Sequence, residues 1–248
     1  MPDDVLVSPG ELFGDGVFET VHLRPSGPWL LDAHLARLAR SARLLDLDVL
    51  PLSLGHVVSD GPESALRIIR TRRSQHVTVA PIPAETVRER VSGVRVISAA
   101  LGFALGGKPP WSLWPAKTLS YASNFAARRW ARERGADDLL WLSTEGYALE
   151  SPTASLVWLA GSELCTVPPE EAQILPGTTA AHLLSVAPSA GLRPVHRTVT
   201  IEQLRGADAI WLASALRGLA FVTSLDGAPR RTSRWTPILQ DLLGHPRP

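Results

Sequence analysis

The sequence predicts an α+β fold, and three observations carry that expectation. The first half alternates strand-like segments with an amphipathic helix. A stretch dense in glycine and proline, Gly106-Gly107-Lys108-Pro109-Pro110-Trp111, offers a linker near the middle. The second half mixes an alanine- and arginine-rich helix with apolar runs of strand length. At 248 residues the chain can form one large domain or two modest ones.

In chain order, Ser8-Pro9-Gly10 opens as a turn, and Gly14-Asp15-Gly16 is a second turn feeding a strand with alternating Val17, Glu19, Val21 and Leu23. Pro28–Leu31 reads as a short strand, with Asp32 as N-cap of the helix that follows. Leu35, Leu38, Ala42 and Leu45 make that helix amphipathic, with Arg37, Arg40 and Arg43 off the apolar stripe. Ala65–Arg73, His76–Pro81 and Gly93–Ala99 are β-like. Beyond the linker, Ser123–Arg134 is helical and ends at Gly135. Leu139–Leu142 and Tyr147–Leu159 read as strands joined by the turn at 143–146, and Ala180–Val186 as a helix opened by Pro176-Gly177-Thr178-Thr179. Ala209–Ala213 and Leu219–Thr223 are strands around a turn near Arg217-Gly218, with a further turn at Asp226-Gly227.

Composition excludes several classes. With 45% hydrophobic and 20% charged residues the chain is an ordinary globular one, and a net charge of +1 gives no electrostatic reason to bind nucleic acid or an anionic membrane. No apolar run is long enough to cross a bilayer, and the acidic start Met1-Pro2-Asp3-Asp4 lacks the basic and apolar regions of a signal peptide. A cytoplasmic location is expected. The single cysteine, Cys165, rules out an internal disulfide and a cysteine-based metal cluster, and no metal is expected.

Of the 25 basic residues counted as Lys or Arg, only Lys108 and Lys117 are lysines, leaving 23 arginines. Arginine keeps its proton in proteins, whereas a desolvated lysine can become a nucleophilic amine. Scarcity therefore nominates a lysine for chemistry without choosing one. Gly177-Thr178-Thr179 at a helix start could cup a phosphate through free N–H groups, the helix dipole and two hydroxyls, although the pattern read alone is a helix cap. Glu150 in a largely apolar strand needs a partner, or a strand edge facing water.

Taken together, Lys117-Thr118-Leu119-Ser120-Tyr121, Arg134-Gly135-Ala136-Asp137-Asp138, Glu150 and Ile174-Leu175-Pro176-Gly177-Thr178-Thr179 stand in the order and spacing of class IV aminotransferases. Phe13–Thr20 and His34-Leu35-Ala36-Arg37-Leu38 resemble that family's opening motifs, so the resemblance runs from about residue 13 to about residue 230. The family, the fold-type IV pyridoxal-5′-phosphate enzymes, includes branched-chain and D-amino-acid aminotransferases and 4-amino-4-deoxychorismate lyases. The resemblance implies a homodimer of two-domain chains with the cofactor between the domains. A small α+β domain would span 1–106, an interdomain loop 107–112, and a larger mixed, barrel-like cofactor domain 113–248.

The resemblance also implies roles. Lys117 would hold pyridoxal phosphate as a Schiff base and move the substrate's Cα proton as general acid–base. Glu150 would pair with the pyridine nitrogen. Thr178, Thr179, Arg37 and Ser214 would hold the phosphate, and Tyr121 would bond the cofactor's phenolic oxygen. Arg70 and Arg72 are candidates for a substrate carboxylate, with surface ion pairing as the alternative, and His22 and Arg24 near the opening turn stand under the same alternative. Lys108 receives no role beyond charge. Two departures, Ser155 in place of a frequent asparagine and Ala180 in place of an arginine, leave the cofactor residues untouched.

After Ser214-Ala215 the chain continues Leu216-Arg217-Gly218, where transaminases commonly carry a glutamate. That looks more like the aminodeoxychorismate lyases, which release pyruvate and 4-aminobenzoate, a folate precursor. The alternatives are an aminotransferase acting on D-amino or branched-chain amino acids, and a non-catalytic member of the fold.

Overall fold

A computed structural model describes residues 9–48, 54 and 61–245; Met1–Asp4 and Ser8 fall outside the described residues. The chain forms two units, residues 1–82 with 116–123, and residues 83–115 with 124–248.

The first unit begins with α1 (Pro9–Phe13), which takes the place of the expected opening turn, and β1 (Gly16–Arg24). β2 (Gly27–Pro28), α2 (Leu31–Leu44), β3 (Ser64–Thr71) and β4 (Gln75–Ala80) follow. The strands form an antiparallel sheet in the order β2-β1-β3-β4. Alternation sends Val17, Val21 and Leu23 to one face, where they pack with Leu66 and Ile68 against Leu38, Ala42 and Leu45. The strand expected over Pro28–Leu31 stops at Pro28. Leu30 adopts a left-handed φ of 54° and is the N-cap residue, so Asp32 falls inside the first turn, where its charge still suits the helix dipole.

The second unit contains α3 (Ala84–Ser92), β5 (Val94–Ala100), most of α4 (Ala122–Glu133), β6 (Asp138–Leu142), β7 (Glu150–Ser151) and β8 (Ala154–Ala160). It continues through β9 (Glu163–Thr166), α5 (Pro169–Ala172), α6 (Thr178–Val186), β10 (Arg193–His196) and α7 (Ile201–Arg205). β11 (Ala209–Ser214), β12 (Gly218–Leu225), β13 (Ala228–Pro229) and α8 (Trp235–Leu243) close it. Its mixed sheet runs β10-β9-β8-β11-β12-β5-β6, with β13 beside β12 and β7 beside β8. The strand expected over Tyr147–Leu159 is broken at Pro152-Thr153 into a β7–β8 hairpin that sets Glu150 opposite Ser155.

These units divide the chain differently from the expected 1–106, 107–112 and 113–248. Val94–Ala100 pairs in parallel with both β12 and β6, so the chain before residue 106 already belongs to the larger sheet. The stretch at 106–111 lies within the second unit, and the backbone passes between units at 82/83, 115/116 and 123/124. Among the described residues no helix is long and apolar enough to cross a membrane.

Candidate active site

In the first unit, residues 117–119 run beside β1. The Phe18 N–H donates to the Lys117 carbonyl (2.9 Å), the Leu119 N–H to the Gly16 carbonyl (2.8 Å), and Thr118 bridges Val17. The Lys117 N–H donates to Ser41 Oγ (3.0 Å). Gly14 makes this approach possible: its φ is +72°, and a Cβ there would stand 2.4 Å from Ser120 Oγ. With its main chain tied, half-buried Lys117 presents Nζ 4.5 Å from the Phe18 ring centroid and 5.2 Å from that of Tyr121. The two rings meet edge to face at 5.2 Å.

α2 carries a second buried ridge beside its apolar stripe, made of His34, Arg37 and Ser41. Arg37 was expected off the apolar stripe with Arg40 and Arg43; those two are exposed, but Arg37 is buried. Its Nε and Nη2 donate to the two oxygens of Glu19, at 2.7 and 2.8 Å. His34 Nδ1 lies 2.7 Å from the same carboxylate. Burial would raise the pKa of Glu19, but the charge and hydrogen bonds of Arg37, with the bond to His34, hold it down at about 2. An ionised Glu19 has no proton to give, so His34 Nδ1 is the donor. Burial holds His34 below its ordinary pKa, only partly offset by Glu19.

The second unit assembles a different group. Glu150 is 7% exposed, and its Oε1 accepts the Leu175 N–H (3.3 Å). Gly177 is the N-cap of α6 and, lacking a side chain, leaves the first-turn N–H groups without a side-chain cap. It sits so close to Ser155 that a Cβ would come 2.0 Å from Ser155 Oγ. Thr179, 2% exposed, has an Oγ1 with no hydrogen-bond partner among the described residues. A buried hydroxyl without a partner is costly, and it stands on the first turn of a nine-residue helix, where anions bind. Thr178 opens the same turn, and Ser214 ends β11 half-buried.

The remaining candidates are engaged with their own chain. Arg70 is buried and donates to the carbonyls of Asp48 (3.0 Å) and Ser74 (3.4 Å). Arg72 is exposed, bonding Asp15 (3.1 Å) and the carbonyls of Asp46 and Leu45 (both 3.0 Å). His22 is buried against Glu63 (2.6 Å) and accepts from Arg24 Nε (3.1 Å). Arg217, singled out by sequence, is a buried structural cation, with Nε 2.7 Å from Glu89 and Nη2 2.8 Å from Asp138.

Sequence reasoning missed Glu19, His34 and Ser41. The signal was available: Glu19 falls on the apolar face of an alternating strand, and residues 34, 37 and 41 share one helix face. The first unit thus presents an amine over two rings, and the second carries a buried carboxylate and a helix start suited to an anion.

Comparison with known proteins agrees. A relative from Mycobacterium tuberculosis, a bifunctional aminodeoxychorismate lyase / D-amino acid transaminase, is 37% identical over 92% of this chain and 86% of its own length. The structure of a hypothetical aminotransferase from Mycobacterium tuberculosis in its PLP-bound form superposes with a TM-score of 0.89 at 33% identity, covering 98% of this chain and 94% of that one. A fold IV transaminase from Curtobacterium pusillum gives 0.86 at 34% identity, covering 98% and 89%. The family model for amino-transferase class IV matches residues 16–225, so this chain belongs to the class IV aminotransferase family, with its two-unit α+β fold.

Proposed function

We propose that this chain is a pyridoxal-5′-phosphate enzyme acting as a 4-amino-4-deoxychorismate lyase. The observation that carries the cofactor is the start of α6: Gly177 closed on Ser155, no N-cap side-chain bond, and a buried Thr179 hydroxyl lacking a partner among the described residues. The M. tuberculosis structure in PLP-bound form supports the same reading. Thr178, Thr179 and the α6 N–H groups would hold the phosphate, with Ser214 adding a hydroxyl and Arg37 a cation. Glu150 would keep a proton on the ring nitrogen, and Tyr121 would bond the phenolic oxygen. The bound cofactor supplies an electron sink for the charge left when a substrate Cα loses its proton.

Lys117 takes that proton at Nζ and returns it elsewhere as general acid. Phe18 and Tyr121 orient the amine and cover one side of it. Glu19 fixes two donors of Arg37, setting the direction of its remaining ones. For the lyase, pyruvate leaves and the ring becomes 4-aminobenzoate. Support for this branch is Leu216-Arg217-Gly218, where transaminases place a glutamate, together with the lyase named in the M. tuberculosis relative.

The same relative's second name favours a second reading, D-amino-acid transamination. Both reactions start with proton loss to one lysine, so one site can serve both. Incubation of the loaded protein with 4-amino-4-deoxychorismate is expected to yield 4-aminobenzoate and pyruvate in equal amounts. No 4-aminobenzoate, with D-alanine and 2-oxoglutarate converted to pyruvate and glutamate, would replace the lyase by the transaminase. The reading also carries a homodimer, tested by sedimentation of the loaded protein.

A further inference from the structure

Lys108 is the lysine that the chemistry above does not use, and its surroundings are specific. Its side chain is buried, with Nζ donating to the carbonyls of Ala172 (3.1 Å) and Gln173 (2.8 Å). Its own N–H donates to Gln173 Oε1 (2.9 Å), so one residue clasps Gln173 by main chain and side chain together. The Trp114 ring centroid lies 5.4 Å from Nζ and covers the cation. Gln173 needs holding: it ends α5 with a left-handed φ of 51°, which an L residue other than glycine adopts at some cost. Two residues later the Leu175 N–H reaches Glu150, and two further on Gly177 begins the anion cup. Burial lowers the pKa of Lys108, with the Glu150 carboxylate opposing that shift.

We propose that Lys108 is a positioning residue for the cofactor site, fixing the Gln173–Leu175 turn whose Leu175 N–H holds Glu150 and which leads into the start of α6. The proposal rests on the assignment of Glu150 made above. Lys108 touches neither cofactor nor substrate in this role; it acts through residues 172–175.

The test titrates full-length wild type, Lys108→Met and Lys108→Arg with pyridoxal phosphate, following the visible absorbance of bound cofactor. The melting temperature of each cofactor-free protein is measured alongside. Lys108→Met is expected to bind about tenfold more weakly, a loss on the order of 1.4 kcal/mol. Lys108→Arg keeps charge and donors and should stay within about threefold of wild type, even where both variants melt lower. Lys108→Met binding as tightly as wild type, whatever its melting temperature, overturns the proposal. So does Lys108→Arg losing as much affinity as Lys108→Met, since side-chain donors to the Ala172 and Gln173 carbonyls then play no part. Should Lys108→Met fail to fold, Gln173→Ala removes the acceptor of the Lys108 N–H. Binding about threefold weaker supports the clasp, and unchanged binding overturns it. Wild type that binds no cofactor at all sinks the assignment of Glu150 itself, a result distinct from any difference among variants.

Discussion

The two lysines of this chain live in opposite environments, and the difference separates an amine that is presented from one that is tied down. At Lys117 the main chain is tied on both sides, to Ser41 and Phe18, while the amine is displayed over two aromatic faces. At Lys108 the amine itself is tied, to two carbonyls in the interior of the other unit. An amine must release a proton and approach carbon to act as a nucleophile, and an ammonium donating to two carbonyls is held from both. Elsewhere the distinction is one of degree: Arg217 is held by Glu89 and Asp138 through Nε and Nη2, while its Nη1 and the Thr179 hydroxyl both lack a hydrogen-bond partner among the described residues.

Exchange at the displayed lysine should give the largest effect. Lys117→Ala is expected to remove the visible band of bound cofactor and to cut turnover by at least about 10³-fold. Retention of both would erase the contrast between the lysines. Arg217→Met leaves Glu89 and Asp138 with the longer contacts to Arg128 (3.4 and 3.8 Å), so urea unfolding of cofactor-free protein should show a loss on the order of 3 kcal/mol. Thr179→Val should have effects of opposite sign. Removing an unpartnered buried hydroxyl leaves cofactor-free protein as stable or more so, while cofactor affinity falls about five- to tenfold. Matching losses in both measurements would place that hydroxyl among the structural groups.

The first unit adds a pH dependence. The folded carboxyl of Glu19 is held at about 2 against an ordinary 4.5, so its contribution to stability is complete above pH 4.5 and is lost as pH falls toward 2. Melting temperature followed over that range should fall less steeply in Glu19→Gln than in wild type. Equal slopes would mean that Arg37 and His34 do not hold the carboxylate as described.

Much of this was legible in the sequence. Period-two alternation located β1 and period 3.6 located α2, because each has one apolar face, while β3, β4 and α4 were read as β-like or helical stretches. Gly177-Thr178-Thr179 and Glu150 were visible because a helix-start cup and a carboxylate in an apolar strand are both locally unusual. What escaped depends on contacts distant in sequence. That Val94–Ala100 joins the larger sheet follows from pairing with β12, some 125 residues later, which no local pattern encodes. The glycine- and proline-rich stretch at 106–111 looked like a linker because its composition is that of one. Only the carbonyls of Ala172 and Gln173 reveal it as anchored. The break at Pro152-Thr153 was hidden because apolar residues lie on both sides of it.

Because the chain has only two lysines, one experiment addresses the central claim directly. Protein loaded with pyridoxal phosphate is reduced with borohydride, which fixes the cofactor to the amine that holds it, and is then digested and mapped by mass spectrometry. The added mass is expected on the peptide bearing Lys117 alone, with Lys108 unmodified. Cofactor fixed on Lys108, or on neither lysine in protein that binds it tightly, would contradict the assignment of Lys117.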